Sequence, residues 1–239
     1  MALYSDQGIV LRSYSFGEAD KIVILLSPNR GKLRTVAKGV RKTKSRFGGR
    51  LETLTHVDLV LYEGKNLDMI TQASIIEAFP TLRQDLDRVV AAGTMIEIAD
   101  VVAQEDEPAL RLFLLLKRGL RALDGPDPHP DLVTAYLLKA AAIVGVAPAL
   151  EHCAGCGVRE GLTRFSFAAG GVLCDRCRTP GAYALRSGVI EYLAAMSGVD
   201  LSALPDPDLA MSREAMGVTR RFMEYHLERK LDSMALIDV

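Results

Sequence analysis

The stretch Gly8–Val40 reads GIVLRSYSFGEADKIVILLSPNRGKLRTVAKGV. Three short runs rich in β-branched residues lie in it: Gly8–Tyr14, Lys21–Ser27 and Leu33–Val40. The turn signals Phe16-Gly17-Glu18 and Pro28-Asn29-Arg30-Gly31 separate them. Branched side chains fit a pleated surface and Gly and Pro punctuate it, so these runs read as strands joined by tight turns. Two more strand-like runs follow, His56–Tyr62 (HVDLVLY) and Leu67–Phe79 (LDMITQASIIEAF), flanking the polar turn Glu63-Gly64-Lys65-Asn66. Five strands without a helical period predict a small closed barrel, an OB-fold, because closure removes the exposed edges.

After Pro80 the period changes from strand to helix. Thr81-x-x-Gln84 reads as a capping box, and Leu82, Leu86, Val89, Val90 and Ile96 recur at helical spacing. Further helices are expected from Pro108 to Leu123, Leu132 to Val144, Ser187 to Met196 and Ser212 to about Leu231, with Ser212 as the last N-cap. The proline-rich run Asp124–Asp131 is a loop. The fold class is therefore α+β: a barrel over residues 1–80, then a mostly helical domain over 81–239 that contains a cysteine segment at 150–180.

That segment holds Cys153-x-x-Cys156 and Cys174-x-x-Cys177, with 17 residues between the pairs. Two residues between cysteines let a turn aim both thiolates at one metal, and the pair-to-pair distance is that of a four-cysteine zinc site. Phe165-Ser166-Phe167, the small run Ala168–Gly171 and Val172-Leu173-Cys174 read as a hairpin returning the second pair to the first. Four thiolates complete a tetrahedron and leave no position for water or substrate, so one structural zinc is expected. His152 adjoins Cys153 but is read as a surface neighbour. Buried free thiols or a redox pair are the other readings of these cysteines.

Charge is unevenly distributed. The formal net charge is −1, yet residues 1–80 carry 12 Lys and Arg against 8 Asp and Glu. Between Arg30 and Arg50 stand nine basic residues and no acid: Arg30, Lys32, Arg34, Lys38, Arg41, Lys42, Lys44, Arg46 and Arg50. So many like charges repel unless a polyanion or solvent screens them, and a phosphate backbone does so by releasing condensed counterions. Phe47 lies within the run, and Tyr14 and Phe16 stand at the first barrel turn. Aromatic rings beside a cationic groove are what sequence-tolerant single-strand binding uses. The basic run therefore reads as a DNA-binding surface with Phe47 in it; Tyr14 and Phe16 read either as stacking rings or as barrel packing. The bland alternative is a solvated loop.

Several classes are excluded. Aromatics make up 6% of residues and Trp is absent, which argues against a sugar-binding platform. Lys44-Ser45 resembles the end of a phosphate loop, but Lys38 and Thr43 occupy its glycine positions. There is no H-E-x-x-H or G-x-S-x-G, and His56, His129, His152 and His226 are dispersed. The opening MALYSDQG lacks the features of a signal peptide, and Ala140–Leu150 is too short to span a bilayer. A cytoplasmic protein without a membrane partner is expected. A zinc-ribbon scaffold acting only through protein partners is the main alternative; a zinc hydrolase would need an open metal position.

Several motifs together resemble the RecO family of recombination mediators. They are Gly8-Ile9-Val10-Leu11-Arg12, Gly17-Glu18-x-Asp20-Lys21, Gly31 and Ala37-Lys38-Gly39-Val40-Arg41-Lys42. Gly170-Gly171-x-Leu173-Cys174-x-x-Cys177 is similar to that family's zinc motif, and His226–Ser233 to the end of its last helix. The resemblance implies an N-terminal OB-fold, a helical C-terminal domain and, as in many members, a zinc held by four cysteines. It also implies binding of single- and double-stranded DNA, annealing of complementary strands, and action with RecR and often RecF to load RecA at the nucleoid. The DNA to be loaded is coated by the single-strand-binding protein SSB, whose acidic, apolar-ended C-terminal tail docks on the helical domain of some members. The loop between the first two strands, rich here in small and acidic residues, departs from the family pattern.

Overall fold

The computed structural model describes residues 2–233. The chain forms two compact units, Met1–Asp124 and Gly125–Val239.

The first unit is built on five strands: β1 (Leu3–Phe16), β2 (Asp20–Ser27), β3 (Gly31–Ala37), β4 (His56–Tyr62) and β5 (Asp68–Glu77). They close in the order β1-β2-β3-β5-β4, an OB-fold barrel. Strand β1 makes the closure possible. Its first half pairs with β4, Leu3 opposite Tyr62, and its second half with β2, Phe16 opposite Asp20. A bulge between Val10 and Arg12 bends it from one neighbour to the other. The barrel is filled by Val10, Val23, Leu25, Leu33, Phe47, Leu51, Val57, Leu59, Leu61 and Ile70.

Helices α1 (Leu86–Val102) and α2 (Leu110–Asp124) complete this unit, which thus extends past residue 80. The expected capping box at Thr81 does not form. Leu82–Gln84 is a single 3-10 turn, Thr81 makes no side-chain cap bond, and the Leu82 N–H donates instead to the Asp124 carboxylate at 2.8 Å. Asp85 caps α1 by accepting from the Arg88 N–H. The buried stripe Leu112, Phe113, Leu116, Leu120 and Leu123 of α2 follows the helical period, and Phe113 meets the ring of buried His56 edge-on at 5.4 Å.

The second unit contains α3 (Leu132–Ile143), a small sheet, α4 (Val189–Gly198) and α5 (Leu209–His226). The sheet has the order β7-β6-β8, from β6 (Leu162–Ser166), β7 (Gly171–Cys174) and β8 (Tyr183–Ala184). The β6–β7 hairpin is the one expected from the sequence. Helix α5 starts three residues before Ser212: Asp208 is its cap and accepts from the N–H groups of Ala210 and Met211. Ser212 is buried and donates its hydroxyl to Asp131 at 2.9 Å, and the Tyr192 hydroxyl donates to the same carboxylate oxygen at 2.5 Å. One buried acid thus ties the approach to α3 to α4 and α5.

Candidate metal centre and nucleic-acid interface

The four cysteine sulfurs all lie within 4.8 Å of one another, and Cys156 Sγ is 3.8 Å from Cys174 Sγ. Bonds of roughly 2.3 Å from a tetrahedral ion would place its sulfurs about 3.8 Å apart, so the donor set fits one ion. The local chain explains the geometry. The Gly157 N–H closes the first turn on the Cys153 carbonyl at 2.8 Å, and Gly157 holds φ +78°, where a side chain would be strained. The second pair is bent by the 3-10 turn Asp175–Cys177. Gly155 lets the two turns meet, since a Cβ there would stand 3.0 Å from the Cys177 Cβ.

Charge chemistry agrees with this fit. N–H groups, first that of Cys174 at 3.4 Å, pull the Cys153 thiol down to about 6. Hydrogen bonding with the neighbouring sulfurs, Cys156 foremost, pushes the Cys177 thiol up to about 12. Four sulfurs so close cannot all ionise without a cation among them. Exposed His152 stands outside the cluster. Leu173, Val158 and Leu162 pack beside the cysteines, while Arg159, Glu160, Asp175 and Arg176 line the open side next to Cys174.

The basic run divides in two. Arg30 stacks over the Tyr4 ring at 4.1 Å. Lys32 lies 3.5 Å from Asp100, which also accepts from Arg12 at 2.6 Å, and Arg34 is 3.8 Å from Glu105. The acids belong to α1 and the segment after it, and that segment is fastened to the β2–β3 turn: the Lys32 N–H donates to the Gln104 carbonyl at 2.8 Å and the Ala109 N–H to that of Pro28 at 3.1 Å. Only glycine fits at 31, where a Cβ would come within 2.4 Å of the Gln104 and Glu107 carbonyls. Reading the sequence alone does not find Asp100 and Glu105 as partners of these cations; the acidic run Glu105-Asp106-Glu107 is the available signal, though nothing local ties it to strand β3.

The other six, Lys38, Arg41, Lys42, Lys44, Arg46 and Arg50, are exposed on one loop and face no acid within ion-pair distance among the described residues. The loop is anchored at its start. The Gly39 N–H donates to Asp20, the first residue of β2, at 2.7 Å, and the Arg41 N–H to the carbonyl of Ala19 in the β1–β2 turn at 2.9 Å. Phe47 departs from the expectation. Its ring is 1% exposed within the barrel core, so it has no face open to a base; it fastens the loop to the barrel. Tyr14 and Phe16, by contrast, are exposed.

A five-stranded OB barrel with an exposed cationic loop, joined in one chain to a helical unit with a four-cysteine centre, defines a class of multidomain OB-fold proteins. The sequence comparisons make it specific. Residues 1–79 match the family model described as Recombination protein O N terminal, and residues 83–235 that of Recombination protein O C terminal. The chain is 46% identical to a DNA repair protein RecO of a Nocardioides species, with 99% of each chain covered. It is 43% identical to the RecO of Frankia casuarinae (100% of this chain, 99% of the relative) and 39% identical to that of Cutibacterium acnes over the whole of both. The chain belongs to the RecO family of DNA repair proteins. No helix among the described residues is long and apolar enough to cross a membrane.

Proposed function

We propose that this protein is a non-catalytic recombination mediator that binds single- and double-stranded DNA, anneals complementary strands and, with RecR and RecF, helps load RecA on SSB-coated single strands. The observation that carries the reading is the loop Lys38–Arg50, whose six exposed cations face no acid on a barrel of the oligonucleotide-binding type. Arg41, Lys42, Lys44, Arg46 and Arg50, with Lys38 at the loop's root, neutralise phosphates; Arg30, Lys32 and Arg34 contribute at the margin, where acids already hold two of them. Phosphate contacts of this kind hold a strand without reading its sequence, so paired bases can form while the backbones are held. The barrel over residues 1–80 serves in DNA binding, and the helical part over 81–239, whose α1 and α2 belong to the first unit, meets RecR and the C-terminal tail of SSB.

Cys153, Cys156, Cys174 and Cys177 hold one Zn2+, which supplies structural cross-linking of the β6–β7 hairpin and no open coordination position. The protein acts in the cytoplasm at the nucleoid. The test is annealing of two complementary oligonucleotides, one dye-labelled and one quencher-labelled. Acceleration by the intact chain, lost when Arg41, Lys42, Lys44 and Arg46 are changed to Gln, supports the reading. A chain that binds DNA yet leaves the annealing rate unchanged contradicts it.

A further inference from the structure

Seven aromatic rings belong to the first unit. Tyr4, Phe47, Tyr62, Phe79 and Phe113 are buried or half-buried, whereas Tyr14 is 41% exposed and Phe16 49%. The two exposed rings are neighbours. They lie two residues apart near the end of β1, where side chains at this spacing share a face. Among the described residues neither ring meets another ring or a cation. Single exposed apolar residues are ordinary, but a lone pair of rings with no intramolecular partner beside a cationic loop is not accounted for by packing.

The loop's root fixes the arrangement. Arg41 donates from its backbone to Ala19 and from its guanidinium to the Gly17 carbonyl at 3.5 Å, next to Phe16. The rings and the cations are thus parts of one held structure. On this rim, Glu18 is exposed at the turn and the cations stand on the loop. A polyanion keeps its phosphates toward the loop and away from Glu18, which leaves its bases toward the rings. Two residues of strand span about 7 Å, twice the roughly 3.4 Å rise of stacked bases along one strand. Each ring therefore suits one unstacked base. A duplex, whose bases are stacked and paired, offers none.

We infer that Tyr14 and Phe16 form a stacking edge for unpaired bases, which gives the barrel an affinity increment for single-stranded over double-stranded nucleic acid. The inference rests on the DNA-binding reading above and adds the form of nucleic acid and the residues that sense it. Phosphate binding by the loop is shared by both forms; the rings act on one.

The experiment compares binding of an oligodeoxythymidine and a hairpin duplex of equal phosphate number, by fluorescence anisotropy. The double variant Tyr14→Ala/Phe16→Ala is expected to weaken single-strand binding by about 30-fold or more and leave duplex affinity and both salt slopes unchanged. Because the chain has no Trp, Phe16→Trp supplies one indole, expected to be quenched by the oligodeoxythymidine and not by the duplex. This variant keeps an aromatic ring and reports independently of the double variant's folding. Single-strand binding unaffected by the double substitution, equal loss on both nucleic acids, or an indole indifferent to the oligonucleotide would overturn the inference while the loop's role stands. No binding of either nucleic acid by the unaltered chain at low salt would remove the underlying reading, and the inference with it.

Discussion

Arg46 and Phe47 are adjacent in sequence and opposite in exposure: the guanidinium of Arg46 lies 4.9 Å above the centre of the Phe47 ring, and the ring itself is sealed in the barrel. The loop that displays the cations is held by a residue whose place in the sequence suggests part of that display. Changing Phe47 to Ala should cost about 3–5 kcal/mol of stability, seen as a lower midpoint in urea. Arg46→Ala should leave the midpoint nearly unchanged and weaken DNA binding. If Phe47→Ala were as stable as the parent and lost DNA affinity alone, the ring would belong to the interface after all.

Under the proposed DNA-binding reading, Asp100 limits how much of the basic run can reach a phosphate. It holds Arg12 and Lys32 together, so Asp100→Asn should raise single-strand affinity and steepen the dependence of log affinity on log salt by about 0.7 for each cation released. An unchanged slope would mean that Arg12 and Lys32 lie off the DNA path.

Burial of the His56 ring, with help from nearby Lys117, lowers its pKa to about 4 from an ordinary 6.5. The unfolded chain therefore takes up this proton at higher pH than the folded one. The contribution is fully present above about pH 6.5, falls as pH drops through the interval down to about 4, and amounts to about 3 kcal/mol when lost. Denaturation midpoints measured from pH 7 to 4 should decline in the parent and decline less in His56→Gln. Parallel curves for the two proteins would refute this assignment.

Metal analysis of the purified protein should find one zinc per chain, lost in Cys174→Ser. Without it, the amides of Ala154 and Val172, which donate to Val172 and Ala149, should lose protection from hydrogen exchange. Equal protection with and without metal would show that the hairpin folds on its own.

The barrel is legible in the sequence because its signal is local. From Gly8 to Val40 the branched residues and turn formers lie within one strand length of each other. The cysteine centre is legible for the same reason, as its spacing carries its geometry. The beginning of β1 is not: Ser5, Asp6 and Gln7 carry no apolar alternation and become strand by pairing with β4. The start of α5 is ambiguous because Asp208 and Ser212 are both good caps by type, and only the distant Asp131 decides between them by engaging the Ser212 hydroxyl. Phe47 misleads for a similar reason, since a basic run predicts exposure and only the closed barrel shows the apolar end that the ring fills. The division of the nine cations also depends on Asp100 and Glu105, far along the chain from the residues they hold.

The most direct measurement is the affinity for a labelled single-stranded oligonucleotide across a salt series, for the parent and for the chain with Arg41, Lys42, Lys44 and Arg46 changed to Gln. Six cations with no acidic partner among the described residues predict a slope of log affinity on log salt of up to about −4 in the parent, and about −1 with four removed. The loss should be alike for oligonucleotides of different sequence. A slope near zero in the parent, or a variant that binds as the parent does, would contradict the assignment of the Lys38–Arg50 loop as the DNA-binding surface.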